Sequence, residues 1–445
     1  MSKSSKYHLV CGMEVHAELK TNSKMFCGCK NDPFGAEKPN IHTCPVCLGM
    51  PGALPVANKR AIEWTIKLGL ALNCKINLFS KFDRKNYFYP DLPKAYQISQ
   101  YDIPFCFEGS IETSEGPIRI TRIHLEEDTG KLLHKEVDGE DVSLIDYNRS
   151  SVPLIEIVTE PDIKSPKQAE EYGRALRDII RYLDIGNCDM EQGGMRLEAN
   201  ISLQENGKEG LPDYKTEVKN INSFKFARQA IEFEMERQEE ILEEGNIPKQ
   251  ETRGWNAKKS ITFPQRTKED AQDYRYFPDP DLPPIRFTKE QVEKIGSEIP
   301  KLPTVLVKEW NDDYGVEKRF SNLLFSNPKE AKWLEELFSY AKREDVKVNK
   351  LAGAMVNKKV KYSFEGKVEN VVNEFNKLNK TDDVSEGDLL SAIEEVISSN
   401  AKTVARYKDG QTQLLNFFFG QTMKALGKKV DGGQLRKLLQ EQLDK

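Results

Sequence analysis

A chain of 445 residues with 38% hydrophobic and 31% charged positions has the make-up of a globular protein, long enough for one large domain and one or two smaller ones. No run approaches the roughly 20 apolar residues that cross a bilayer, and the opening MSKSSKYHLV lacks an apolar signal region, so the expectation is a cytoplasmic protein without a membrane segment. A formal net charge of −5 argues against a general nucleic-acid coat, although residues 401–445 hold nine Lys or Arg against four Asp or Glu, which suits either a hold on a polyanion or a solvated helical face.

In chain order, the first feature is a strand over residues 13–19. Its apolar positions alternate with Glu14, His16 and Glu18, and the period of two sends those three to one face. Cys27-x-Cys29 follows, and after 14 residues Cys44-x-x-Cys47. That spacing reads as a four-thiolate structural Zn²⁺ site, with His42 as a substitute ligand, or as small buried thiols. Residues 81–90 then interleave Lys81, Arg84 and Lys85 with Tyr87 and neighbouring rings. Such a run serves phosphate and base contacts, or fills a core beside a basic edge. A second polar-faced strand, 123–128, presents His124, Glu126 and Asp128. A third, 196–201, presents Arg196, Glu198 and Asn200, and a fourth, 216–219, presents Glu217 and Lys219.

Two helices stand out among the strands. Ser165-Pro166 caps the first, with Tyr172, Leu176, Ile179, Ile180 and Leu183 on one stripe and Gly186 as its stop. The second opens at Asn222-Ser223, carries Phe224, Ala227, Ile231, Met235 and Leu242, and ends at Gly245. The proline-rich run 278–284 is forced to be extended and marks the way out of the main domain. A Lys- and Glu-rich helical region, a polar linker near 379–386 and a last helical module complete the chain. The expected division is 1–299, 300–385 and 386–445.

Polar faces on four strands, each mixing carboxylates with His, Asn, Arg or Lys, are consistent with two arrangements. One is a plain solvated sheet face. The other is a Mg²⁺–phosphate site, in which oxygen ligands hold the cation while Arg and Lys offset phosphate charge. No P-loop, no G-x-G-x-x-G, no H-E-x-x-H and no G-x-S-x-G occurs, so bound ATP would lie on the sheet.

The segments GMEVHAELKTNSKMFCGC, CPVCLGMPGALPV, SKFDRKNYFYPDLPKAYQISQYD, TRIHLEEDTGKL, SLIDYNRSSVPLIEIVTEPDI, TEVKNINSFKFARQAIEFE and DYRYFPDPDLPP, in this order, resemble the GatB family, the B subunits of tRNA-dependent amidotransferases. Gly420-Gln421-Thr422-Met423-Lys424-Ala425 resembles that family's small C-terminal domain. The resemblance implies an α+β fold, with an antiparallel-sheet cradle followed by all-α helical and tail domains that approach tRNA. It implies a ligase that phosphorylates the side-chain carboxylate of misacylated Glu-tRNA(Gln) or Asp-tRNA(Asn), using ATP and Mg²⁺. Ammonia released from glutamine by a separate amidase (glutaminase) subunit would then displace phosphate, in a complex that also holds a small third subunit. A carboxylate is a poor acyl donor because its leaving group would be oxide, and phosphorylation replaces that oxide with phosphate. Two alternative readings stand beside it: a non-catalytic, zinc-containing RNA-binding protein, and a metal-dependent hydrolase.

Carried over by position, the resemblance makes Glu14, His16, Glu126, Glu198 and Glu217 the Mg²⁺-site residues. It places Lys81, Arg84, Lys85, Tyr87, Arg196, Lys215, Lys219 and Asn220 near substrate or ATP, with Glu127 and Asp128 close by. Cys27, Cys29, Cys44 and Cys47 match members that carry structural zinc. The chain departs from the family at four places: Glu198 stands where many relatives have aspartate, Gln272 where histidine is usual, and Ser151 where glycine is typical, while the region 300–385 is shortened.

Overall fold

The computed structural model describes residues 6–267, 273–380, 382, 384–428 and 430–444; Gln272 lies outside the described residues. Two compact units form, Met1–Lys308 with Phe325–Ala331, and Glu309–Leu324 with Lys332–Lys445.

The first unit is built on strands β1 (Tyr7–Glu18), β2 (Lys75–Ile76), β3 (Phe79–Ser80), β4 (Asp83–Asn86), β5 (Tyr96–Ser99), β6 (Cys106–Thr113), β7 (Gly116–Glu127) and β8 (Lys131–Val137). These are followed by β9 (Glu140–Asp146), β10 (Pro153–Thr159), β11 (Met195–Glu205), β12 (Thr216–Ile221), β13 (Glu251–Asn256), β14 (Ile261–Thr267), β15 (Phe277–Pro278) and β16 (Ile285–Arg286). Nine of them form one sheet in the order β14-β13-β12-β11-β1-β10-β7-β6-β2. Every pair in it is antiparallel except β12–β13, which runs parallel, so the sheet is mixed where an antiparallel one was expected. The parallel pair is possible because a long helix carries the chain back between those strands. A smaller sheet, β15-β4-β5, lies beside β7.

Alternation in β1 buries Leu9, Cys11, Met13, Val15 and Ala17 on one side of the sheet. That side is covered by helices α1 (Lys59–Ala71), α2 (Pro166–Tyr182) and α3 (Phe224–Glu243). Each large aliphatic side chain so buried contributes about 1.5–3 kcal/mol. Both predicted helix starts are present: Ser165 Oγ accepts the Gln168 N–H at 3.0 Å, and Ser223 Oγ accepts the Phe226 N–H at 3.1 Å. α2 and α3 pack closely at Gly173, where an added Cβ would stand 2.7 Å from the Phe224 ring. Helix capping and apolar spacing therefore fix which sheet face is core, and leave the other face to the polar residues.

The second unit contains helices at Val348–Val356, Val368–Asn379, Glu386–Ser398, Ala401–Lys408, Leu415–Leu426 and Gly432–Leu443. The polar stretch after Asn379 separates two of them, and Ser385 caps the later one; residues 381 and 383 lie outside the described residues. Leu389, Ile393, Phe418, Leu435, Leu439 and Leu443 form an apolar core of their own among the last four helices. No described helix is long and apolar enough to cross a membrane.

Candidate active site and metal centre

The register of the central strands brings the polar residues into rows. His16 on β1 faces Arg196 on β11 and Glu156 on β10, and Glu156 in turn faces His124 on β7. One row along, Glu14 faces Glu198, and Asn200 faces Glu217 on β12. These rows floor a cleft of about 460 Å³ that also meets Lys85, Gln100, Arg122, Lys215, Lys219, Thr252, Tyr274 and Tyr276. The small sheet supplies Lys85 to its wall and covers Glu126, which accepts a 2.9 Å hydrogen bond from Ser99 Oγ. His124, Glu126 and Asp128 are consequently buried, rather than lying on an open polar face.

Two groups of candidate ligand atoms result. Glu14, Glu198 and Glu217 offer one set and His16, Glu126 and Glu156 another, with the atoms within each set inside 4.8 Å of one another. Three carboxylates at such separation repel unless a cation joins them. Lys219 offsets part of this, with Nζ 2.8 Å from Glu198 and 3.3 Å from Glu217. Asn200 Nδ2 donates to Glu14 Oε1 at 2.8 Å, and Thr252 Oγ1 donates to Glu217 Oε2 at 2.8 Å. Asn200 Oδ1 is buried with no hydrogen-bond donor, which leaves an oxygen ligand beside the carboxylates. An oxygen-rich set of this kind fits a hard divalent cation such as Mg²⁺.

Electrostatics agree with that crowding. Burial, together with the Glu156 and Glu198 carboxylates, raises the pKa of Glu14. Burial opposes the charged form of His124, but Glu156 and Glu126 outweigh it and bring its pKa up to about 9. His16 is raised in the same way, its imidazole lying 3.3 Å from Glu156. Lys85 is half-buried at the cleft, and Glu126 and Glu156 overcome the burial penalty to hold it firmly protonated. Neither Lys85 nor Arg122 forms an ion pair among the described residues, and Arg122 Nε is buried without an acceptor. Both stand where an anion would be received.

Not every residue singled out from the sequence reaches this cleft. Lys81 pairs with Asp83 and Asp102, and Arg84 pairs with Asp279 at 2.8 Å and Asp281 at 2.9 Å while lying over the Tyr96 ring. Tyr87 hydrogen-bonds Gln97, and Glu127 is tied to Lys94. Arg196 projects to Asp128 at 2.8 Å, and with Arg149 holds that carboxyl near pKa 2. Glu18, beside them, is pushed up to about 8 by burial and by Asp128. Asn220 is exposed, in a left-handed backbone conformation with φ +62° where β12 shifts register. Sequence reasoning missed Glu156, whose signal was its place between Ile155 and Ile157, as well as Arg122 and Thr252.

Away from this cleft, Cys27, Cys29, Cys44 and Cys47 place their sulfurs within 4.8 Å of one another. A tetrahedral Zn²⁺ with thiolates at about 2.3 Å requires sulfurs about 3.8 Å apart, so the set fits. His42 is not part of it; its backbone N–H donates to Asn148. The Cys44 N–H donates to Cys47 Sγ at 3.1 Å, and the Cys47 thiol is held down to about 5, first by Cys27 and further by Lys24.

Residues 9–293, which include the sheet and its carboxylate–histidine cleft, match the family described as the GatB/GatE catalytic domain. Residues 321–443 match the GatB domain, and the chain belongs to the GatB family. It is similar to the B subunit of the aspartyl/glutamyl-tRNA(Asn/Gln) amidotransferase of Thermoanaerobacter sp. (strain X514), 43% identical over 482 aligned positions that cover 99% of this chain and 100% of the relative. The protein of the same description from Carboxydothermus hydrogenoformans is 42% identical, with 99% of each chain covered. That from Thermodesulfovibrio yellowstonii is 41% identical, with 98% of each covered. The 482-position alignment is longer than the 445-residue chain, so that relative carries segments this chain lacks.

Proposed function

We propose that this chain is the carboxylate-activating B subunit of an aspartyl/glutamyl-tRNA(Asn/Gln) amidotransferase. The observation that carries the reading is the match along the whole chain to proteins of that description, joined to a cleft of carboxylates with uncommitted cations. In the proposed reaction a side-chain carboxylate oxygen of the esterified Glu or Asp attacks the γ-phosphorus of ATP, and ADP leaves. Ammonia then attacks the acyl carbon and expels phosphate, and the proton lost from nitrogen is taken up by the departing phosphate, giving the amide and hydrogen phosphate.

Glu14, Glu198 and Glu217, with His16 and Glu126 adjoining, are the residues that would hold Mg²⁺. When bound, the cation supplies charge neutralisation for phosphoryl transfer. Lys85 and Arg122 receive phosphate oxygens, and Lys215 and Lys219 balance the carboxylates as substrate enters. Glu156 holds both imidazoles, lying 3.3 Å from His16 Nε2 and 3.2 Å from His124 Nε2, and the same His16 nitrogen stands 3.9 Å from Glu126. Arg84, Lys81 and Tyr87 support the wall that carries Lys85, and Arg196 and Asn220 flank the floor. Ammonia comes from glutamine through a partner amidase (glutaminase), and a small third protein completes a cytoplasmic heterotrimer. The division into a cradle (1–299), a helical domain (300–385) and a tail (386–445) belongs to the same proposal. The tail's separate apolar core supports treating it as a module, and the excess of Lys and Arg over residues 401–445 supports tRNA as what it holds.

Amidation of Glu-tRNA(Gln) and Asp-tRNA(Asn), with ATP, Mg²⁺ and ammonium chloride in place of glutamine, tests the assignment. ATP-dependent amide is expected from this chain in its complex. Absence of product with both tRNAs in the complete complex would return the chain to the non-catalytic RNA-binding reading.

A further inference from the structure

Among the described residues, Lys24 is the largest charged side chain to be fully buried, with none of its surface exposed. It follows β1 and stands at the root of the cysteine-bearing loops, where its backbone N–H donates to the Cys29 carbonyl at 3.0 Å. Among the described residues its ammonium group donates to the Tyr147 carbonyl oxygen at 3.1 Å and to Cys47 Sγ at 3.8 Å. No carboxylate pairs with it among the described residues, in contrast to Lys81, Lys94 and Lys219. A buried ammonium without an anion costs several kcal/mol, so such a residue is kept only where a counter-ion is present. The sulfur of Cys47, itself fully buried, is the candidate anion within reach.

Four thiolates around a divalent cation carry a net charge of −2, and burying that charge is itself unfavourable. N–H···S hydrogen bonds and nearby cations offset it, and such surrounding groups tune how tightly a metal is held. We propose that Lys24 is the counter-charge of the Cys27–Cys29–Cys44–Cys47 centre and sets its affinity for a thiophilic divalent cation. This rests on reading the four thiols as a metal centre. It explains why a lysine, and not an apolar residue of similar volume, occupies a position closed to water. It also makes Lys24 a positioning residue, since the ammonium acts on the metal through the Cys47 sulfur.

The test uses the full chain and Zn²⁺ as probe, with affinity read by competition against a chromophoric chelator and geometry by the Co²⁺ ligand-field spectrum. Lys24→Met is expected to bind Zn²⁺ about 10–100-fold more weakly than the parent while keeping a tetrahedral Co²⁺ spectrum. Affinity within twofold of the parent would overturn the proposal while leaving the metal centre intact. A parent chain that takes up no Zn²⁺ would instead overturn the metal-centre reading, and the proposal with it. If Lys24→Met does not fold, chelator-treated Cys47→Ser is compared with the double variant Lys24→Met/Cys47→Ser. Removing the thiolate strands the ammonium, so the double variant should melt at higher temperature than Cys47→Ser alone. A double variant no more stable than the single one would also overturn the proposal.

Discussion

Ser151 holds φ +66°, the left-handed region, although it is fully buried and its hydroxyl has no hydrogen-bond partner. Its N–H is committed to the Asp128 carbonyl and its own carbonyl to the Met25 N–H, so the backbone cannot relax. Glycine adopts this conformation without strain. Ser151→Gly is expected to stabilise the protein by about 1 kcal/mol, as the midpoint of urea unfolding reports. The sequence flagged this residue only through the glycine typical of relatives; the backbone angle supplies the physical cause. Glu18 offers a second residue-scale prediction. The unfolded chain ionises this carboxyl near the ordinary value of 4.5, whereas the folded chain keeps the proton to about pH 8. Between those values the folded state binds the extra proton, so stability falls as pH rises through the window, and the full penalty stands above it. Glu18→Gln removes the penalty. The variant is expected to match the parent at pH 4 and to exceed it by roughly 1–3 kcal/mol at pH 8.5 in thermal unfolding.

Between α3 and the β13–β14 edge lies a buried ionic link whose effect reaches the cleft. Glu234 has no exposed surface and takes Arg237 at 2.7 Å, Arg253 at 3.2 Å and the Thr262 hydroxyl. Arg253 follows Thr252, the donor to Glu217, so the link fixes the strand that orients a candidate cation ligand. Glu234→Gln leaves two guanidinium groups under-compensated and is expected to cost about 3 kcal/mol or more in chemical denaturation. Elements of this kind also show what the sequence could and could not convey. The period of two in β1, β11 and β12 placed Glu14, Glu198 and Glu217 on one face, and serine caps placed α2 and α3, because both signals are local. Which strands lie side by side is not local. The position of β10 between β1 and β7, which delivers Glu156 to both imidazoles, is set by sheet order and was illegible. Arg84 looked free for phosphate because its partners Asp279 and Asp281 are far away in sequence, and Lys81 because the fold closes both Asp83, in the same run, and Asp102 onto it. The parallel β12–β13 pair likewise follows from the path around α3 and from no residue pattern.

At the scale of the whole molecule, the proposed chemistry belongs to the first unit and the proposed tRNA capture to the second. Glu14→Gln or Glu126→Gln should abolish amidation in the complex and leave tRNA affinity within a few-fold, measured by filter binding. Loss of residues 403–445 should do the opposite, weakening tRNA binding and its salt dependence while saturating substrate restores turnover. The central claim, that this chain activates the carboxylate by phosphorylation, is tested most directly with Glu-tRNA(Gln) carrying ¹⁸O in the glutamyl side-chain carboxylate. The complete complex is supplied with ATP, Mg²⁺ and glutamine, and released phosphate is analysed by mass spectrometry. One ¹⁸O atom in phosphate for each amide formed is the predicted result. Amide formation with phosphate free of ¹⁸O would contradict activation by phosphorylation.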